Sequence, residues 1–223
     1  MTDVAGRVPD SASIELGQDP AKRTLDVTIC LISLIVIGPL LLLLCGLVRW
    51  TSPGPALFRQ ERLGRDKRPF TMLKLRTMTV DNDDTIHRDY VTRLLRDARP
   101  PAGGRSGLFK LEADPRVTWL GRWLRRTSLD ELPQLLNVLR GEMSLVGPRP
   151  VLPWEAEMFG AEYEPRFTVM PGITGLWQVR GRSRLSMRDA LELDVEYART
   201  HCLARDLAIL VGTLPALLRG NAR

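Results

Sequence analysis

Cysteine and histidine are scarce in this 223-residue sequence, at three and two residues. Cys30, Cys45 and Cys202 form no CxxC pair, and His87 and His201 stand in no HxxxH or HExxH context. A disulfide framework and a zinc-type centre are therefore excluded, and the thiol usage suits a reducing compartment. There is no GxSxG elbow and no GxxxxGK[ST] loop, which removes hydrolase triads and nucleotide-loop kinases. Internal repeats and low-complexity segments are absent too. Acidic residues are outnumbered, 26 against 32 Lys and Arg, for a net charge of +6. The acidic share is concentrated at the start: residues 1–21 hold Arg7 against Asp3, Asp10, Glu15 and Asp19, which leaves the remainder at +9. Such a body attracts phosphates, anionic lipid or nucleic acid, and charge alone does not choose among them. The length suits one domain with a sizeable core.

What the chain does have is a long apolar run. Residues 1–21 mix Gly, Pro, Ser and Asp without apolar period and read as a disordered tail. Residues 22–50 read as a membrane helix. Val27–Val48 carries no charge, and 15 of its 22 residues are Val, Ile or Leu, enough for favourable insertion at roughly 0.3–0.6 kcal/mol each. A straight helix of that length reaches about 33 Å, enough to span. Gly38-Pro39 sits at its centre, where proline removes a backbone hydrogen bond and bends the helix. Lys22 and Arg23 precede the run, and Arg49, Arg59, Arg62, Arg65, Lys67 and Arg68 follow it, so both ends favour the cytoplasmic face. From the residues alone, a reentrant hairpin and a kinked span both remain open.

Residues 51–223 read as a soluble core with interfacial helices. In "VTWLGRWLRR", Trp119, Leu120, Trp123 and Leu124 recur among Arg122, Arg125 and Arg126, the pattern of a basic interfacial helix. "LARDLAILVGTLPALLRG" is too short to span and reads as a second one. Strands are expected over 56–60 and 69–78, around the turn "GRDKRP". Helices are expected over 84–98, with Ile86, Tyr90, Leu94, Leu95 and Ala98 on one face, and over 131–140, 154–162 and 187–200. The fold class is α+β, helix-dominated.

Within "TSLDELPQLLNVLRGEMSLVGPRP", Asp130 and Glu131 stand at an expected helix start. With Asp130 as N-cap, Pro133 falls at the third helical position, where a missing N–H is harmless. Acidic residues at helix starts commonly serve as caps. The competing reading is chemistry on a phosphate, since Arg125, Arg126, Arg149, Arg180 and Arg182 sit beside Gly or Pro turns or at helix ends. Both readings stand on the pattern alone.

Taken together, the apolar hairpin, "FRQERLGRDKRPFTMLKLRTM", "RTSLDELPQLLNVLRGEMSLVGPRP", "MPGITGLWQVRGRS" and "RDLAILVGTLPALLRG" resemble the bacterial sugar transferases, the monotopic polyprenyl-phosphate phosphoglycosyl transferases. The likeness runs from about Arg23 to the C-terminus and covers the minimal catalytic form. It implies a single monotopic membrane domain with an N-terminal reentrant hairpin broken at Gly38 and Pro39, at the inner membrane with the catalytic domain on the cytoplasmic face. It implies transfer of a sugar 1-phosphate from a UDP-sugar to polyprenyl (undecaprenyl) phosphate, with UMP released, as the first membrane step of a surface glycan. Asp130 falls on the family's nucleophile, forming a covalent aspartyl phosphosugar, and Glu131 on its acidic partner. Mg²⁺ is the implied cofactor, held by Asp130 and Glu131. Arg149 of "GPRP" falls on a phosphate-binding arginine, with Arg126, Arg180 and Arg182 as further phosphate candidates. Pro171, Gly172, Thr174 and Gly175 fall in the donor nucleotide region. "GLWQVRGRS" is closer to members that transfer galactose or glucose than to those for acetamido sugars. Gly-Pro stands where the family often has Ser-Pro, which loses a hydroxyl able to bond a freed carbonyl. Membrane lipid is an expected partner and nucleic acid is not; homo-oligomerisation stays open. The alternative class is a non-catalytic monotopic scaffold binding anionic lipid, which explains the charge but not Asp130-Glu131 beside "GPRP".

Overall fold

The structure is a computed structural model that describes residues 19–79, 85–96, 116–181 and 185–221. Most of the expected tail, Ala98 and Arg182 lie outside the described residues. Helix α1 runs Pro20–Thr51, two residues earlier than the boundary read from sequence, because Asp19 accepts the Ala21 N–H as a cap and Pro20 suits the first turn. Gly38 and Pro39 lie inside this one helical assignment. It is long and apolar enough to cross a membrane, with a mean hydropathy of 2.9 over its most apolar window.

One face of α1 is buried near each end, and its middle is not. Lys22, Asp26 and Cys30 are covered near the start, Leu44 and Val48 near the end, while Leu31, Ile35, Val36 and Leu42 between them are exposed. The near end is fixed by polar contacts: Lys22 Nζ donates to Asp206 Oδ2 at 2.7 Å and to the Val146 carbonyl at 3.2 Å. Asp26 accepts the Ser144 hydroxyl at 2.7 Å and the Leu145 N–H at 3.2 Å. The far end packs by apolar contact, with Leu44 and Val48 against Leu75, Leu120 and Leu124.

Strands β1 (Leu57–Leu63) and β2 (Pro69–Leu75) form an antiparallel hairpin in the register Leu57↔Leu75 to Leu63↔Pro69. The first is longer than expected and the second shorter, since backbone pairing, not alternation, sets the ends. Helix α2 (Thr85–Arg96) buries Val91 and Leu94 in a cluster with Tyr163, Trp177, Met187 and Leu191. Helix α3 (Trp119–Thr127) is capped by Thr118, whose hydroxyl accepts the Gly121 N–H at 2.9 Å. Its four large apolar residues do not share one face: Leu120 and Leu124 enter the core, while Trp119 and Trp123 stay 64% and 48% exposed.

Then follow α4 (Gln134–Arg140), β3 (Ser144–Val146), α5 (Pro153–Glu157), a 3-10 segment Ala161–Thr168, β4 (Gly172–Thr174), α6 (Leu176–Arg180), α7 (Met187–Thr200) and α8 (Leu203–Asn221). The helices expected at 131–140 and 154–162 are shorter than read, being partly tight 3-10 turns, whereas 187–200 holds throughout. β3 and β4 pair in parallel, Ser144 with Gly172 and Val146 with Thr174. Asn137 ties α4 to β2 by accepting the Leu73 N–H and donating to the Thr71 carbonyl. The main core joins Cys30, Met72, Val138, Val146, Tyr197 and Ile209, so that α1, the hairpin, α4 and the two C-terminal helices close on one centre. Each such side chain contributes roughly 1.5–3 kcal/mol of burial.

Candidate active site

Ser128 ends α3 in the left-handed region at φ 59°, and this sharp reversal starts a 3-10 turn, Leu129–Glu131. The turn hands on to Pro133 and α4. Asp130 is therefore not the N-cap of a helix over 131–140. Pro133 holds the cap position of α4, Ser128 that of the turn, and neither cap makes a side-chain hydrogen bond. The expected geometry fails because the left-handed Ser128 moves the start of helical winding off the acidic pair. Asp130 is instead buried in mid-turn at 3% exposure.

Glu131 points elsewhere, as expected for adjacent residues on tight winding. Its carboxylate meets Lys74 Nζ of β2 at 3.1 Å in a half-buried ion pair. Two residues along the same strand face, Arg76 is 7% exposed and donates from Nη2 to both the Ser52 carbonyl and its hydroxyl. Burial, with Arg49 nearby, lowers the Arg76 pKa from its ordinary value. Arg125 of α3 donates from Nε to the Thr77 hydroxyl at 2.9 Å, which brings a third cation to this strand end. Lys74 and Arg76 were not singled out from sequence. Their signal was a cation at alternate positions in an otherwise apolar strand, "MLKLR".

A cavity of about 170 Å³ opens beside Glu131. Ser128, Glu131, Leu132 and Leu135 form one side, and Ile173, Thr174, Gln178, Val179, Thr213 and Ala216 the other. "TSLDE" and "PGITG" thus meet across one space although some 40 residues separate them in sequence. Close backbone approach makes this possible: a Cβ at Gly172 would lie 2.1 Å from Gly147 N, and one at Gly147 would lie 2.2 Å from the Met170 carbonyl. Glycine at both positions lets the "GPRP" loop lie directly on β4.

The expected phosphate arginines separate. Arg149 is half-buried at a second, small hollow with Gly64, Pro148, Arg166, Phe167 and Pro171. Its backbone is held by a buried pair: Arg166 Nη2 donates to the Arg149 carbonyl at 2.8 Å and to Asp194 Oδ2 at 2.7 Å. Burial pushes the Asp194 carboxyl up, against the pull of the Arg166 guanidinium and the Arg149 backbone. Arg126 is exposed on α3. Arg180 is exposed at the end of α6 and pairs with Glu196 of α7 at 3.0 Å, which turns it away from the cavity. Gly175 caps α6, and Thr174 shares a 2.8 Å hydrogen bond with Thr213.

Among the described residues no group of three or more His, Cys, Asp or Glu gathers into a protein-only metal cage. Asp130 and Glu131 do supply two adjacent carboxylates with a buried oxygen at Asp130 Oδ1. Mg²⁺ is usually held by one or two carboxylates with substrate phosphates and water completing its octahedron, so a single carboxylate of the pair fits it while Glu131 faces Lys74.

The family model for bacterial sugar transferases matches residues 17–220. The chain is 41% identical over 204 residues to the exopolysaccharide production protein ExoY of Sinorhizobium fredii, covering 90% of this chain and 88% of that protein. It is 43% identical over 208 residues to a UDP-glucose:undecaprenyl-phosphate glucose-1-phosphate transferase of Caulobacter vibrioides, covering 90% and 70%. An undecaprenyl-phosphate galactose phosphotransferase of Salmonella typhimurium is 38% identical over 198 residues, covering 89% of this chain and 40% of the relative. The chain belongs to the bacterial sugar transferase family and is a phosphoglycosyl transferase.

Proposed function

We propose that this chain transfers a sugar 1-phosphate from a UDP-hexose, UDP-glucose or UDP-galactose, to undecaprenyl phosphate, giving the lipid-diphosphate sugar and UMP. The observation that carries this reading is Asp130: a carboxylate buried in a tight turn next to Glu131, which lines a cavity together with Ile173 and Thr174 of "PGITG". A carboxylate held in a fixed turn beside such a cavity is suited to act as a nucleophile. One Asp130 oxygen attacks the sugar-bearing phosphorus, a new P–O bond forms, and the bond to the UMP oxygen breaks. The lipid phosphate oxygen then attacks the same phosphorus, and breaking the aspartyl P–O bond restores the carboxylate.

Lys74 holds Glu131 in place, and the Arg166–Asp194 pair holds the Arg149 backbone, so that the acidic partner and the phosphate-binding arginine are positioned before substrate arrives. Arg126 stands at the solvent side for the same phosphates. Mg²⁺, when bound at the acidic pair, supplies charge neutralisation of the diphosphate oxygens.

The setting is the cytoplasmic face of the inner membrane, with α1 entering and leaving on one side at Gly38-Pro39. The burial of one face near each end of α1 on one body, with an exposed apolar middle, supports this. Exposed Trp50, Trp119 and Trp123, with Leu207, Val211 and Leu214 of α8, suit the depth of the headgroups. The product feeds a surface glycan. The deciding experiment incubates the protein with Mg²⁺ and a panel of UDP-sugars without lipid phosphate. About one equivalent of UMP should appear, with the mass of one phosphosugar on the peptide containing Asp130. UMP release only after lipid is added would leave Asp130 a metal ligand or base.

A further inference from the structure

We propose that the cavity beside Glu131 receives the isoprene units of the lipid acceptor nearest its phosphate, and not the nucleotide of the donor. This rests on the transfer reaction above, and adds where the acceptor's hydrocarbon sits. The cavity measures about 170 Å³. An apolar cavity of about 150 Å³ takes a benzene-sized hydrocarbon, so one five-carbon isoprene unit fits with little space left over. Leu132, Leu135, Ile173, Val179 and Ala216 line it, and among the described residues no Lys or Arg does. A diphosphate would find no cation among these lining residues, and Lys74 is already paired with Glu131.

The two threonines in the wall are committed to each other and to the α8 backbone. Thr213 donates its hydroxyl proton to the Ile209 carbonyl at 2.7 Å, and Thr174 therefore gives its own to Thr213. Gln178 turns its amide N–H onto the Ile173 carbonyl at 3.1 Å, while its Oε1 is buried without a hydrogen-bond partner. No aromatic ring is present to stack a base. A uracil carbonyl facing the two threonines would find their protons taken, which is costly for a buried acceptor. A branched hydrocarbon requires none of these donors.

The position agrees. Thr213 and Ala216 face the cavity from one side of α8, while Leu207, Val211 and Leu214 are exposed on the opposite side. One helix diameter, about 10 Å, therefore separates the cavity from a lipid-facing surface. Glu131 lines it as well, so a chain seated there brings its phosphate toward the acidic pair.

The test uses the full chain in detergent with UDP-glucose or UDP-galactose as donor and farnesyl phosphate as acceptor. Ala216→Phe, which fills the cavity, should raise KM for farnesyl phosphate at least tenfold more than KM for the UDP-sugar. Val179→Ala, which enlarges it, should move the same ratio in the same direction, and serves if the larger side chain prevents folding. A prenyl phosphate bearing a diazirine in its first unit should label peptides from β4, α6 or α8, with farnesyl phosphate competing and UMP not. A rise in KM confined to the UDP-sugar, with UMP blocking the label, would make this a nucleotide cavity and overturn the proposal. No change in either KM, or labelling elsewhere, would overturn it too. Labelling here by a wild-type protein that forms no phosphosugar on Asp130 would instead refute the covalent reaction and leave the cavity assignment standing.

Discussion

The buried pair under the "GPRP" loop allows stability and activity to be separated. Arg166 and Asp194 meet at 2.7 Å with side chains only 2% and 3% exposed. Their satisfaction is incomplete, because Arg166 Nε and Asp194 Oδ1 are buried without a hydrogen-bond partner. Such a pair does not fully offset the desolvation of two charges, in keeping with the upward push on the Asp194 carboxyl. Asp194→Leu alone strands a charged guanidinium, which costs about 3–5 kcal/mol. At about 2–4 °C per kcal/mol for a chain of this size, Tm should fall by roughly 6–20 °C. Adding Arg166→Met removes the stranded charge and keeps an apolar side chain near Phe159 and Phe167, whose rings lie 5.4 and 5.1 Å from the guanidinium. The double variant should return to within about 1 kcal/mol of wild type or exceed it. Activity should not return, since the Arg149 carbonyl has lost its donor and the phosphate arginine its placement. Thermal unfolding in detergent, followed by tryptophan fluorescence, reads the first quantity, and UMP release reads the second. A single variant within about 2 °C of wild type would refute the burial argument. A double variant with full turnover would refute the positioning of Arg149.

Asp130→Asn should change stability by about 1 kcal/mol or less, the side chain being no cap, while turnover falls by several powers of ten. Normal folding with near-full turnover would sink the nucleophile assignment. Chelation with EDTA should suppress lipid-free UMP release, and Mg²⁺ should restore it; release that persists after chelation argues against the metal. Burial and Asp206 hold the Tyr197 phenol well above 10, so the stability it lends is complete below pH 10 and lost as pH rises through the folded value. Tyr197→Phe should flatten the alkaline limb of a stability-against-pH curve, and an unchanged slope would refute this. Cysteines placed near Lys22 and Arg59 should both react from the cytoplasmic side only; labelling of one from the periplasm would mean a plain span.

The family was legible in the sequence because its motifs are contiguous: the apolar run, "TSLDELPQ", "GPRP" and "PGITG" each lie within one short segment. Helix 187–200 was legible for a related reason, its pattern being local and its Ser186–Asp189 capping box intact. The displacement of Asp130 from the helix N-cap was not, because it turns on the left-handed Ser128, a backbone choice that no local propensity requires of serine. The division of α3 into inward leucines and outward tryptophans was likewise undecidable from spacing, since both rows repeat at i and i+4. Sequence determined which segments are apolar, which carry the acidic pair and where the glycines allow close approach. Only the tertiary structure decided that Lys74 holds Glu131, that Arg180 turns to Glu196, and that Thr213 comes back to meet Thr174. Contacts between residues tens of positions apart are fixed by how the core closes, and side-chain periodicity carries no information about that closure.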